Sequence, residues 1–320
     1  AMKRFSILIA ALCLCLTGCG KQTTEATAQI FAMDTVMEVA AYGEHAEQAV
    51  KYTEKRIEEL ENRLSRTKAD SLVSGLNRDG SIRHLTYDYW NLIARAKEYQ
   101  DATNGAFDIT IAPVMDAWGF TGDSFRVPEQ SELDTLLKKV NSDAIQMLGS
   151  PSDSVTLGEG QAIDLGGIAK GYTSDCVEAV FYDHEIENGK ISLGGNVFVL
   201  GGKPDGADWR VGIRDPQDEN ALAAVLTLRD AYAITSGGYE RYFEENGKTY
   251  HHIIDPATGY PADSGLLSVT VVAADNGPDW AGAGNGAMCD AFSTALFVMG
   301  EEQALDFWRN GGYDFDLVLV

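Results

Sequence analysis

The chain reads as an α+β fold with mostly antiparallel sheets. Amphipathic helical periodicity fills much of its first half, hairpin-spaced β runs fill most of the second, and no regular strand–helix–strand alternation joins them. The length is 320 residues, enough for a large core without covalent staples.

Residues 33–42 alternate as a strand does, and Gly43 ends the run. From 45 to 64, Ala46, Val50, Thr53, Ile57, Leu60 and Leu64 recur at helical spacing, which predicts an amphipathic helix. A second helix is predicted over 87–103, closed by Asn104-Gly105, whose composition suits a left-handed C-cap. A third is predicted over 128–140. Short strands are expected at 145–148 and 155–157, and 162–164 enters a glycine corner as a strand that a helix over 168–182 leaves. Strands follow at 191–200, 209–214, 224–228, 232–235, 249–254 and 267–273. Helices over 288–299 and 301–310 and a strand at 317–320 close the chain.

The ends and the composition limit the setting. Lys3 and Arg4 precede an apolar run from 5 to 16, too short to span a membrane, and Leu16-Thr17-Gly18-Cys19 has the form of a bacterial lipoprotein cleavage site. Residues 1–18 are therefore expected to be a lipoprotein signal, with Cys19 the lipidated N-terminus, and 19–29 a polar tether. That places the protein outside the cytoplasm, lipid-anchored to the bacterial cell membrane. Of five cysteines, only Cys176 and Cys289 lie beyond Cys19, and their helix-like apolar settings predict two buried thiols. The formal charge of −23 argues against nucleic acid as a partner. An anionic ligand must then be held by local groups or by a metal.

Four motifs carry chemistry. In Asp164-Leu165-Gly166-Gly167-Ile168-Ala169-Lys170-Gly171, the glycine pair lets backbone approach a ligand, the helix N-terminus favours negative charge, and Lys170 adds a cation. Asp164 cannot itself hold phosphate, so it points to a ring N–H, a hydroxyl or a metal shell; an ordinary strand-to-helix turn has the same composition. Asp290 and Thr294 are four apart on a predicted helix, which puts a carboxylate and a hydroxyl on one face. Such oxygen donors suit Mg²⁺, and equally a polar stripe on a half-buried helix. His251-His252 begins a run to Gly259; neighbouring strand residues face opposite sides, so at most one histidine serves a given site, and His252 could act as a base. Gly194-Gly195 and Gly237-Gly238 are two more glycine pairs at strand ends. Gly282-Ala283-Gly284-Asn285-Gly286-Ala287 formally matches G-x-G-x-x-A, but its surroundings are not βαβ, and a dinucleotide fold is set aside.

Together, Ala106-Phe107-Asp108 with Trp118-Gly119-Phe120, the Asp164 to Gly171 corner, Ser192 to Asn196, Ser236-Gly237, His252 to Gly259 and Asp290-x-x-x-Thr294 resemble the ApbE family of FAD:protein FMN transferases. The resemblance runs from about Phe31 to Gly300. It implies an ApbE-like domain over 30–320, two lobes with FAD and Mg²⁺ between them, and transfer of FMN to a Thr or Ser hydroxyl of an acceptor flavoprotein such as an RnfG- or NqrC-like subunit, with AMP leaving. Carried over position by position, Asp290, Thr294 and the Gly167 carbonyl are the implied metal ligands. Met33, Ala106, Phe107, Asp108, Asp164, Lys170 and Ile254 are the implied flavin-nucleotide contacts, and His252 the implied proton handler. Two departures stand out: Thr67 follows Leu64-Ser65-Arg66 where an aromatic residue is common, and 276–286 is long. The first raises an alternative, Mg²⁺-dependent FAD pyrophosphatase activity giving FMN and AMP. A further alternative is a non-catalytic flavin-binding lipoprotein.

Overall fold

A computed structural model describes residues 24–122, 124–150, 153–278 and 284–320. It begins with a hairpin of β1 (Glu25–Ala32) and β2 (Thr35–Tyr42), in which Ala32 faces Thr35 across a two-residue turn. The turn residues Met33 and Asp34 have φ of 49° and 59°, the left-handed geometry that matches strand twist in tight hairpins. β1 takes in residues 25–29 of the stretch expected to be a tether: from Glu25 its alternate side chains are partly buried against the sheet. The signal and Cys19 lie outside the described residues.

α1 (Ala46–Leu64) buries the stripe that its periodicity marks. α2 (Leu72–Asp79), which hydrophobic spacing did not reveal, is defined by its ends: Ser71 Oγ accepts from Ser74 N at 2.9 Å, and Gly80 closes it at φ 71°. After β3 (Ser81–Arg83) and α3 (Tyr87–Ala102), a 3₁₀ turn at Ile109–Ile111 runs into α4 (Ala112–Trp118). The expected third helix is α5 (Gln130–Leu136), tightened into a 3₁₀ turn over Leu137–Lys139. β4 (Gln146–Leu148) and β5 (Ser154–Thr156) pair with each other, and β3 pairs with β5, in a small sheet.

Residues 162–164 form no strand; Asp164 N donates to Ile109 O at 2.7 Å before α6 (Ala169–Asp183) begins. The single strand expected over 191–200 is two, β6 (Asn188–Leu193) and β7 (Asn196–Leu200), reversed by Gly194 and Gly195 at φ 61° and 109°. A Cβ at Gly194 would lie 2.1 Å from Thr35 Oγ1, so only glycine fits there. β8 (Trp209–Asp215) and β9 (Asp218–Leu228) form a separate two-stranded ribbon. β10 (Ala231–Gly237) returns to the main sheet. β11 (Tyr242–Glu245) and β12 (Lys248–His251) pair around Asn246-Gly247, whose φ values of 52° and 74° suit a tight hairpin turn. The strand expected through Ile254 thus stops at His251.

β13 (Ser268–Ala274), α7 (Asn285–Asn310) and β14 (Asp316–Leu319) complete the chain. Gly300, at φ 77°, breaks α7 where the sequence places a boundary between two helices. The main sheet runs β1-β2-β6-β7-β10-β13-β14, and all its pairings are antiparallel. Its large core takes in α1, α3, α6 and α7; a smaller core joins Val114, Trp118, Phe120, Leu133 and Ile254. Cys176 and Cys289 are free and buried, as expected. Among the described residues, no helix is long and apolar enough to cross a membrane.

α6 and α7 bury acids between them. Asp175 accepts from the amides of Gly284, Gly286 and Ala287 at 3.0, 2.7 and 2.9 Å, so the anion at the start of α7 is the protein's own carboxylate. This accounts for the described part of the G-x-G-x-x-A match; Gly282 and Ala283 lie outside the described residues. Burial pushes Asp175 up to about 7, and burial together with the neighbouring Asp275 pushes Glu178 up to about 9. Both folded values exceed those of an unfolded chain, so the native state takes up protons, and gains stability, as pH falls through that range. Burial pushes His251 and His252 down, which costs stability once pH falls below the ordinary histidine value. Tm is therefore expected to peak near about pH 6, and a series of melts in which Tm climbed steadily from mildly acidic to mildly alkaline buffer would contradict this.

Candidate functional site

One cleft of about 730 Å³ is lined by all the residues that the resemblance implies for metal, flavin nucleotide and proton handling: Met33, Ala106, Phe107, Asp108, Asp164, Gly167, Lys170, His252, Ile254, Asp290 and Thr294. That volume suits a ligand of cofactor size. The elements that bring these residues together are far apart in sequence.

The β1–β2 turn supplies Met33, whose amide donates to Glu61 Oε1 at 2.8 Å. A methionine held at positive φ is a mild backbone strain of the kind that collects at binding sites. Ala106 to Asp108 precede the 3₁₀ turn. The Asp108 carboxylate is fully engaged inside the protein: Oδ1 accepts from Thr110 N, Thr110 Oγ1 and Ser142 Oγ at 2.8, 2.7 and 2.5 Å, and Oδ2 from Ser142 N at 3.1 Å. Its side chain therefore shapes the wall.

In the glycine corner, Asp164 Oδ1 accepts from Gly166 N at 2.7 Å, and Leu165 O accepts from the amides of Ile168 and Ala169. A Cβ placed at Gly167 would lie 3.1 Å from Phe107 Cε2 and 3.5 Å from Thr294 Oγ1, which shows how closely three separate segments meet there. Lys170 has no ion-pair partner among the described residues, so its charge is available to a ligand.

α7 reaches the corner because α6 and α7 cross at glycines. A Cβ at Gly171 would sit 2.1 Å from Gly286 O and 2.6 Å from Asp290 Cβ. The approach lets Asp290 Oδ2 accept from Gly171 N at 2.8 Å. Asp290 is 3% exposed, and burial raises its pKa, with Lys170 and the Gly171 amide opposing. One turn on, Thr294 Oγ1 is 3.1 Å from Ser236 Oγ, which is 2.8 Å from Ser293 Oγ. A carboxylate, hydroxyls and the neighbouring Gly167 backbone make an oxygen-only donor set, the kind that suits a hard divalent cation; among the described residues no cluster of three or more His, Cys, Asp or Glu competes with it. Gly171→Ala is expected to push the helices apart, costing about 1–3 kcal/mol of stability as overpacking does. Chemical denaturation would measure this, and an unchanged midpoint would contradict it.

The two histidines separate cleanly. His251 is satisfied on both sides: its Nε2 lies 3.0 Å from Ala262 O, and its Nδ1 accepts from Ile253 N at 3.3 Å. At His252, Nδ1–H donates to Arg241 O at 3.1 Å, and the same carbonyl accepts from His252 N at 3.0 Å. That bond sets the tautomer and makes Nε2 the acceptor nitrogen, with no donor to it among the described residues. Burial pushes His252 down to about 4, and Lys170 adds to the effect. The ring is thus a neutral base at physiological pH. The β11–β12 hairpin holds this arrangement through an aromatic cluster, with Trp118 5.3 Å from Tyr250 and Phe243 5.3 Å from Tyr250 between ring centroids.

No role for Arg66, Glu61 or Arg241 was apparent from the sequence. Arg66 entered it only as part of the Leu64-Ser65-Arg66 segment before Thr67, and Glu61 and Arg241 sit outside the motifs. Only the helical stripe of α1, which leaves Glu61 beside buried Leu60 and Leu64, places one of them near a wall.

The ApbE family profile matches residues 33–317. The FAD:protein FMN transferase of Klebsiella pneumoniae is 34% identical over 270 residues, covering 82% of this chain and 79% of that protein. That of Haemophilus influenzae is 31% identical over 318 residues, covering 94% and 88%. Among solved structures, the ApbE protein of Thermotoga maritima is similar with a TM-score of 0.83 at 30% identity, covering 93% of this chain and 94% of that one. The flavin transferase ApbE of Vibrio cholerae shares the fold with a TM-score of 0.79 at 24% identity, covering 93% of each chain.

Proposed function

The chain belongs to the ApbE family, and from that premise we propose that it transfers FMN from FAD to a hydroxyl of an acceptor protein. The observation that carries the reading is the cleft itself, in which a neutral histidine whose Nε2 is the acceptor nitrogen, a lysine without an ion-pair partner among the described residues and an oxygen-only donor set converge. We further propose that Mg²⁺ is the cation and that Asp290, Thr294 and the Gly167 carbonyl hold it. The donor chemistry fits: one carboxylate with neutral oxygens leaves room for waters and phosphate, which Mg²⁺ favours. Bound there, Mg²⁺ would neutralise charge on the diphosphate.

In the reaction, the acceptor Thr or Ser oxygen attacks the phosphorus on the FMN side of FAD. A P–O bond forms to that oxygen, the P–O bond to the AMP phosphate breaks, and AMP leaves. His252 Nε2 takes the hydroxyl proton, while the Arg241 carbonyl holds the imidazole in the required tautomer. Lys170 offsets negative charge on the diphosphate. The test is incubation with FAD, Mg²⁺ and an RnfG- or NqrC-like acceptor domain, followed by denaturing electrophoresis. Flavin fluorescence that stays with the acceptor is expected, and its absence from every acceptor tried would defeat the reading.

Thr67 lines the same cleft, with its hydroxyl 3.0 Å from Ser65 Oγ. A small polar residue there favours a second reading, in which water replaces the acceptor and the products are FMN and AMP; intact FAD after long incubation without acceptor would exclude it. We also propose that the chain acts outside the cytoplasm, anchored through lipidated Cys19. The Leu16-Thr17-Gly18-Cys19 run supports this. Cys19→Ser should release the protein from the membrane fraction, and retention there would count against the anchor.

A further inference from the structure

Arg66 is the hub of the cleft wall. Its side chain, 13% exposed, extends from the loop between α1 and α2 to two other segments. Nη1 donates to Asp164 Oδ2 at 3.2 Å and to Thr121 Oγ1 at 2.8 Å, and Nη2 donates to Asp116 Oδ2 at 2.7 Å. Asp116 Oδ1 in turn accepts from Thr121 Oγ1 at 2.6 Å. The loop that carries Arg66 is itself fixed: Ser65 Oγ accepts from the amides of Thr67 and Lys68, each at 3.2 Å, and Arg66 O accepts from Ser74 Oγ at 2.8 Å. The guanidinium therefore starts from a rigid base and ties the end of α4 to the glycine corner.

We infer that Arg66 is a positioning residue for the cation-binding corner, acting through Asp164 on the glycine pair that carries the Gly167 carbonyl. The inference rests on the FMN-transfer reading. Its chain of contacts is Arg66 Nη1 to Asp164 Oδ2, then Asp164 Oδ1 to Gly166 N, adjacent to Gly167. Asp164 is held on both oxygens, so its carboxylate plane, and with it the turn at Gly166, has one orientation. Stability alone is a poor reason for such a pair, since ion pairs at a partly exposed wall contribute little net energy and buried ones can cost it. Geometry is a better reason, because a forked guanidinium can hold two carboxylates at once and a lysine ammonium at this position cannot reproduce the fork.

The test uses the whole protein with Mn²⁺ as the metal probe, followed by electron paramagnetic resonance in the presence of FAD, and separately measures FAD affinity in EDTA by flavin fluorescence. Arg66→Lys keeps the charge and removes the fork. It is expected to weaken Mn²⁺ binding by about tenfold or more, as loss of a support to a metal ligand does, while FAD affinity in EDTA changes less than about threefold. Asp164→Asn should weaken Mn²⁺ similarly, and the double variant should be no worse than the weaker single, because both act along one path. Arg66→Lys indistinguishable from the parent would show that charge alone suffices and overturn the proposal. So would equal weakening of Mn²⁺ and FAD, which would mean general loosening of the cleft, and so would strictly additive variants. A parent protein that bound neither FAD nor Mn²⁺ would instead overturn the FMN-transfer reading on which the proposal stands.

Discussion

Asp290→Asn is expected to lower FMN transfer by about 10³-fold, or ~4 kcal/mol, because it removes the one anionic donor of the oxygen set where diphosphate charge must be neutralised. The amide keeps the shape of the side chain and can still accept from Gly171 N, which lies 2.8 Å from Oδ2. Burial already works against the charged form of Asp290. The neutral replacement should therefore leave Tm unchanged or raise it, as removal of a strained functional charge often does. The two outcomes together make a sharp expectation. Activity loss accompanied by a matching fall in Tm would mean that Asp290 is structural, and full activity in the variant would remove it from the cation site. Initial rates over a range of Mg²⁺, paired with thermal melts, measure both.

His252→Gln should lower the maximal rate by about 10²–10⁴-fold, the span that a positioned general base supplies. FAD binding in EDTA should survive, since glutamine can still meet the Arg241 carbonyl that His252 Nδ1 contacts at 3.1 Å. The pH profile adds a sign. Burial holds the free-enzyme imidazole at about 4, so its base form persists well below the ordinary histidine range, and kcat/KM should hold down to mildly acidic pH before falling. Bound diphosphate is negative and favours the protonated ring, so the acid limb of kcat should lie at higher pH than that of kcat/KM. In His252→Gln both acid limbs should disappear. An unchanged acid limb in the variant would assign the titration to another group.

Much of this site was legible in the sequence because its parts are short motifs whose geometry is local. Asp290 and Thr294 share a face because helices repeat, and the histidine pair splits because neighbouring residues at a strand end face opposite ways. What the sequence left open was long-range. The role of Arg66 depends on Asp116 and Asp164, 50 and 98 positions away, and no local pattern links them. Asp175 shows the same limit in the opposite direction: a glycine-rich helix start resembles a phosphate site until a carboxylate from another helix is found on its amides. Asp108, implied as a flavin-nucleotide contact, lines the cleft, but its carboxylate is committed to Thr110 and Ser142.

The fold errors have similar causes. The first part of β1 was taken for tether because its exposed positions Glu25, Thr27 and Gln29 are polar and its inward ones Ala26 and Ala28 small, as in an edge strand with little to bury. The run over 191–200 looked continuous because the reversal at Gly194 and Gly195 depends on Thr35 packing against it from another hairpin. α2 escaped notice because it is short and defined by its caps, Ser71 and Gly80.

The most direct test is stoichiometric. With FAD, Mg²⁺ and an acceptor domain, released AMP is counted by chromatography and FMN on the acceptor by intact mass over the same time course. One AMP for each acceptor-bound FMN is expected, with both stopped by EDTA. AMP released alongside free FMN, with no gain in acceptor mass, would contradict transfer and leave hydrolysis as the activity of the cleft.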